Sequence, residues 1–152
     1  MINQSIHTLD LLCRWLGPCT NVKAVMQNHH HEGVIEVEDT LAAALAFDDK
    51  KALFYATTGY VEDSPVLLEL HGTEGTIRME GDIVTLRTGK EECRIKTGLN
   101  QSHGGKAYWG TGHEACIRDF YDSIETGRVF QNELLSVENT MDAMMKIYDY
   151  CR

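Results

Sequence analysis

The sequence predicts an α+β fold: a mostly antiparallel, open-faced sheet with helices packed on one face. Three observations carry that prediction. Near the N-terminus, Ile6, Leu9, Cys13 and Leu16 recur at spacings of three and four, as on one side of a helix. In the middle of the chain, short runs such as Val66, Leu68 and Leu70 alternate apolar with polar residues, and tight turns rich in Gly and Asp separate them. Helical spacing then returns near the C-terminus, at Val137, Met141, Met144, Met145 and Tyr148. Helices gathered at the ends of a run of strands, rather than alternating with them, mark α+β rather than α/β.

The elements follow in order. The first helix ends at Gly17-Pro18, where a residue free to turn precedes one that cannot continue a helix. A strand over Val22 to Met26 leads into a polar segment holding His29-His30-His31. Leu41, Ala43, Leu45 and Phe47 alternate with smaller residues and predict a strand with one buried face. Asp48-Asp49-Lys50-Lys51 reads as a turn, and Ala52 to Thr58 completes a hairpin. Gly72-Thr73-Glu74-Gly75, Gly81-Asp82 and Gly89-Lys90-Glu91 then separate the run from Val66, Thr76 to Met79, Ile83 to Arg87, and Cys93 to Lys96, an antiparallel meander. Residues 98–112 read as a long loop. A capping box at Thr111 and Glu114 opens a helix with Ile117, Phe120, Tyr121 and Ile124 on one face, and Gly127 ends it. Ser136 is the expected cap of the last helix.

Composition narrows the class. The 152 residues suffice for one domain, 1–152, with a sizeable core. Hydrophobic content of 43% and charged content of 24% belong to a globular chain. With 14 basic against 23 acidic residues the net charge is −9, and no basic run occurs, which argues against nucleic acid or an anionic membrane as partner. No apolar stretch is as long as a membrane span, and nothing resembles a signal peptide. Five scattered cysteines without CxxC spacing fit reduced thiols in a cytoplasmic protein.

The chemistry concentrates on the first helix. At about 100° per residue, Asn3, His7, Asp10 and Arg14 form one narrow polar stripe. Ile6, Leu9, Cys13 and Leu16 flank it on one side, Leu11 and Trp15 on the other. Such a stripe is either a satisfied polar seam or the floor of a pocket. Asp10 and Asn3 lie one turn on either side of His7, where each could bond a ring nitrogen or a shared ligand. A carboxylate near an imidazole favours its charged form and suits it to acid–base work. His113, with Tyr108 and Trp109, could line a pocket, or could be a helix-terminal residue packed on a loop. His29-His30-His31 reads as a solvated loop, because consecutive strand residues point to alternate sides and cannot all reach one metal ion. The methionine cluster reads as core. No GxSxG or phosphate loop occurs, and Gly72-Thr73-Glu74-Gly75 joins two strands rather than opening a helix, so a dinucleotide-binding reading fails on context.

Several segments together resemble one family. Asn3-Gln4-Ser5-Ile6-His7-Thr8-Leu9-Asp10-Leu11-Leu12 with Trp15-Leu16-Gly17, then Glu38-Asp39-Thr40, Leu70-His71-Gly72-Thr73-Glu74-Gly75-Thr76-Ile77, and Gly112-His113-Glu114 with Ile117, Asp119-Phe120 and Gly127-Arg128 occur in that order. The set is similar to the C-terminal domain of the glucose-fructose oxidoreductase/inositol dehydrogenase/MocA-type oxidoreductases. The resemblance implies a two-domain parent whose N-terminal Rossmann half binds NAD or NADP and carries a catalytic Lys in a Glu-Lys-Pro motif. The present sequence is similar to the second half alone. The resemblance further implies that His7 is the catalytic histidine, that Asp10 is the acidic residue following it by three, and that Asn3 contacts substrate where many members have Asp. It implies a sugar, cyclitol or related polyol as substrate, and a homodimer or tetramer formed through the open sheet. No dinucleotide is expected to bind this chain alone, and the isolated chain is expected to be inactive as a dehydrogenase. The alternative of a different class is a stand-alone interaction module that associates through its sheet.

Overall fold

A computed structural model describes residues 2–61, 64–98 and 112–152, with side chains from residue 5 onward. Helix α1 (Ile2–Leu16) is followed by strands β1 (Asn21–Gln27), β2 (Thr40–Phe47), β3 (Lys50–Thr57), β4 (Leu67–His71), β5 (Thr76–Glu80), β6 (Ile83–Thr88) and β7 (Glu91–Lys96), then helices α2 (Gly112–Thr126) and α3 (Glu138–Cys151). The architecture is α+β with antiparallel sheets. The strands form two sheets, β1-β2-β3 and β4-β5-β6-β7, where the sequence suggested one. The chain divides into two compact units, residues 1–62 with 131–152, and residues 63–130.

In the first unit, alternation along the strands separates two faces. The register aligns Val22 with Leu45 and Ala52, and Ala24 with Ala43 and Phe54. That face is buried and carries Val22, Leu41, Ala43, Leu45, Phe47 and Phe54. Helix α3 packs against β1 and α1, contributing Ala143, Met144 and Ile147, while α1 contributes Leu9, Leu12 and Cys13. The other face aligns Lys23, Ala44 and Leu53, and next to them Val25, Ala42 and Tyr55. It is left open: Leu53 is 89% exposed and Tyr55 61%.

The second unit is the predicted meander, in register from Leu67↔Glu80 through Ile83↔Lys96. One face carries a charged ladder in which Arg78 bonds Glu69 and Glu80, and His71 Nε2 lies 2.8 Å from Glu69 Oε1. Helix α2 keeps its apolar stripe of Ile117, Phe120, Tyr121 and Ile124 exposed. The aromatic rings of Phe120 and Phe130 meet edge-to-face at 5.4 Å.

Three local expectations are corrected. Lys50 and Lys51 belong to β3, so the turn is only Asp48-Asp49, with Asp48 in the left-handed region at φ 57°. Asp tolerates that conformation better than most side chains, which lets so tight a turn close the hairpin. Ser136 does not cap α3: it lies in the 3-10 turn Leu134–Val137, and its hydroxyl donates to the carbonyl of Glu133 at 2.7 Å. Of the methionines on α3, only Met144 is core; Met141 and Met145 are exposed. The predicted cap Thr111 lies outside the described residues, and Glu114 ion-pairs with Arg118 one turn later.

Candidate functional site

Helix α1 owes its orientation to its apolar side. Leu9, Leu12 and Cys13 are buried, and Gly17, in the left-handed region, ends the helix with its N–H donating to the Cys13 carbonyl at 2.9 Å. Burying that side turns the polar stripe toward the flank shared with α3. Asp10 Oδ1 accepts from the Thr140 hydroxyl at 2.7 Å, and Oδ2 accepts from Arg14 Nε at 2.8 Å. Arg14 also reaches Asn132 Oδ1 at 3.4 Å and Ser136 Oγ at 3.5 Å. Cys13 Sγ points to the Asn139 carbonyl at 3.7 Å. Residues 10 and 13 thus meet 140 and 139 on α3, and Arg14 meets the turn just before it.

The structure therefore joins two members of the stripe into a hydrogen-bonded seam, Asp10 to α3 and Arg14 to the segment just before it. His7 stands one turn before Asp10 on the same stripe and is exposed. Asn3 lies on α1, but its side chain is outside the described residues. His113 is exposed in the first turn of α2, in the other unit, and Tyr108 and Trp109 fall outside the described residues. Burial pushes the Cys13 thiol up to about 11, with Cys19 adding to the effect, so this thiol is inert packing beside the seam.

A second polar cluster escaped the sequence reading. The Tyr148 hydroxyl donates to Glu38 Oε1 at 2.7 Å, tying α3 to the segment entering β2. Burial raises the Glu38 carboxyl, but the Tyr148 hydroxyl and further donors bring it below its usual value. Next to it, the buried Asp39 carboxylate accepts from the backbone N–H groups of His29, His30 and His31 at 2.6 to 3.1 Å, and from the Thr40 hydroxyl at 2.9 Å. Burial alone would raise the Asp39 carboxyl; the converging N–H donors outweigh it and hold the group well below the usual carboxylate range. Asn28 closes the same loop, its Nδ2 reaching the carbonyls of His31, Ile35 and Val37 and its Oδ1 accepting from the His31 N–H. His30 lies so close over Gly59 that a Cβ there would come within 2.1 Å of the ring. Asp39 thus fixes the backbone of the triple histidine, and the His31 ring joins the cluster, its Nδ1 lying 3.3 Å from Asp39 Oδ2. The available signal was an Asn after one strand and an Asp before the next, residues whose side chains bond nearby backbone. Among the described residues, no group of three or more His, Cys, Asp or Glu could hold a metal ion.

The model of the GFO/IDH/MocA C-terminal domain matches residues 1–78, which include α1, its stripe and all of the first sheet. The chain belongs to this family. Solved structures share its fold. The WlbA dehydrogenase of Bordetella pertussis, in complex with NADH and UDP-GlcNAcA, superposes with a TM-score of 0.79 at 20% identity, over 99% of this chain and 44% of that one. UDP-N-acetylglucosamine 3-dehydrogenase GnnA of Acidithiobacillus ferrooxidans gives 0.74 at 15% identity, over 96% and 45%. Biliverdin reductase of Synechocystis sp. PCC 6803, with biliverdin and NADP+, gives 0.71 at 16%, over 97% and 45%. The chain spans less than half the length of these structures. No curated protein matches the sequence. No helix among the described residues is long and apolar enough to cross a membrane.

Proposed function

We propose that this chain is the substrate-binding and oligomerisation half of an NAD(P)-dependent oxidoreductase acting on CH–OH groups of a sugar, cyclitol or related polyol. The observation that carries the reading is the family match over a helix whose polar stripe holds His7. Two of the similar folds belong to dehydrogenases, one named for UDP-N-acetylglucosamine and one in complex with UDP-GlcNAcA, which favours a sugar substrate. In this reading the His7 imidazole takes the substrate hydroxyl proton during oxidation and returns it during reduction. Asn3 contacts a substrate hydroxyl, and His113, Tyr108 and Trp109 are further candidates for substrate contact. Asp10 serves His7 by fixing α1, since both its oxygens are bonded to Thr140 and Arg14.

The Gly72-Thr73-Glu74-Gly75 turn does not fit a dinucleotide. Gly72 and Gly75 join β4 to β5 instead of opening a helix, so they lack the helix N-terminus that receives a pyrophosphate. NAD or NADP is therefore assigned to the full-length parent and none to this chain alone. Calorimetric titration of the chain with each dinucleotide should give no stoichiometric binding, and clear binding would overturn that assignment. In a full-length protein containing this domain, His7→Ala should lower kcat/KM by roughly 10²–10⁴-fold; an unchanged value removes His7 from the chemistry.

Association is assigned to the open face of the first sheet, where Val25, Leu53 and Tyr55 are exposed around Ala42 and Ala44. A homodimer or tetramer would cover it. The same face favours the second reading, an interaction module without chemistry. Substrate protection of His7 from diethyl pyrocarbonate in the full-length protein would separate the two: protection supports the enzyme, and its absence supports the module. The acidic composition and five free cysteines suit a cytoplasmic protein without nucleic-acid or membrane partners.

A further inference from the structure

We propose that Thr140 is a positioning residue for the candidate site, fixing the bearing of His7 by holding the Asp10 carboxylate. The inference rests on the reading of His7 as the proton-handling residue, but it concerns a different residue and has its own test. Thr140 is 3% exposed, and its hydroxyl donates to Asp10 Oδ1 at 2.7 Å from 130 positions along the chain. Arg14 closes the other oxygen at 2.8 Å and extends the seam to Asn132 and Ser136. The buried Leu9, Leu12 and Cys13 set which side of α1 faces the core, and close packing resists rotation there, but these contacts do not reach the polar flank that carries His7 and Asp10. A short hydrogen bond to a charged group is directional and strong. His7 lies about 60° around the helix from Asp10, one turn away, so a bond that stops rotation at Asp10 also fixes His7. The seam also directs the Asp10 carboxylate at α3, so Asp10 acts through the helix and not as the immediate partner of the imidazole.

The test uses this chain alone. The ring C–H signals of its histidines are followed by NMR in the wild type, Thr140→Val and Thr140→Ser. Thr140→Val keeps the shape and removes the hydroxyl; it should move the His7 signal while leaving those of His71 and His113, which lie in the other unit, in position. Thr140→Ser keeps the donor and should restore the wild-type signal. Thr140→Ala, which also removes the hydroxyl, should move His7 in the same sense and supplies the test if the valine variant fails to fold. A His7 signal unmoved by the loss of the hydroxyl would overturn the proposal. So would a serine variant that shifts as far as the valine variant, since packing rather than the hydroxyl would then be responsible. Loss of activity on His7→Ala in a full-length protein bears on the proton-handling reading and not on this one, so the two can fail separately.

Discussion

Ile147 is where the first unit should be most vulnerable. It is 0% exposed, on the face of α3 that packs against β1 and α1, and belongs to the fully buried set with Leu9, Leu41, Leu45 and Phe47. Ile147→Ala removes about three methylene-sized groups at ~0.8 kcal/mol each, or ~2.4 kcal/mol of transfer free energy. A residual cavity of about 50 Å³ at roughly 24 cal/mol per Å³ adds about 1 kcal/mol, for a total of ~3.5 kcal/mol. Few natural domains have more than about 5–15 kcal/mol to lose. The assay is urea unfolding followed by backbone amide signals, so that each unit is read separately. Amides of β1, β2, β3 and α3 should lose protection at markedly lower urea, while those of β4 to β7 should hold their midpoint. Ile95→Ala is the control, because Ile95 is 55% exposed and has much less to lose. A loss at Ile147 below ~1 kcal/mol would refute the reasoning, because a fully buried isoleucine at close packing must cost more than its transfer from a half-wet surface. Equal movement of both units would equally refute the separation of the two cores.

Four further outcomes follow from the same structure. Leu53→Asp sets a charge in the middle of the open sheet face and should lower the assembly mass measured by light scattering; an unchanged mass would clear that face of any role in association. Asp39→Asn should abolish the slow exchange of the His29, His30 and His31 amides at neutral pH, and unchanged protection would contradict the carboxylate cradle. Because the folded Asp39 carboxyl lies below its unfolded value near 3.8, its stabilisation is complete above that pH and fades only as pH falls further, so the wild-type loop should stay protected down to about pH 4. Thiol titration with an aromatic disulfide should label the exposed Cys93 and Cys116 at once and Cys13 and Cys19 only on unfolding; rapid labelling of Cys13 would contradict its burial and raised pKa.

Much of this was legible in the sequence, and for identifiable reasons. Strict alternation from Leu41 to Phe47 and glycines between the later strands specified β2 and the meander, because period and turn chemistry are local properties. The stripe on α1 was legible because helical geometry alone aligns Asn3, His7, Asp10 and Arg14. The partners of that stripe were not. Thr140 and Ser136 read locally as a helix residue and a cap; only the approach of their segment to α1 makes Thr140 a donor to Asp10 and Ser136 a partner of Arg14. Asp39 was likewise hidden, since its bonds to residues 29–31 require a loop to fold back on itself. The single expected sheet became two because periodicity fixes strands without fixing which of them pair.

The first unit is discontinuous in sequence: its sheet comes from residues before 62, and the helix that covers β1 comes from residues after 131. On a ribosome, β1, β2 and β3 therefore emerge long before the Ala143, Met144 and Ile147 that shield their buried face. Until then only α1 can shelter that face, the part that α3 covers over β1 stays bare beside the open face, and the meander forms in the meantime. Nascent chains stalled between residues 62 and 131 should be clients of holding chaperones and should be released only when α3 leaves the exit tunnel.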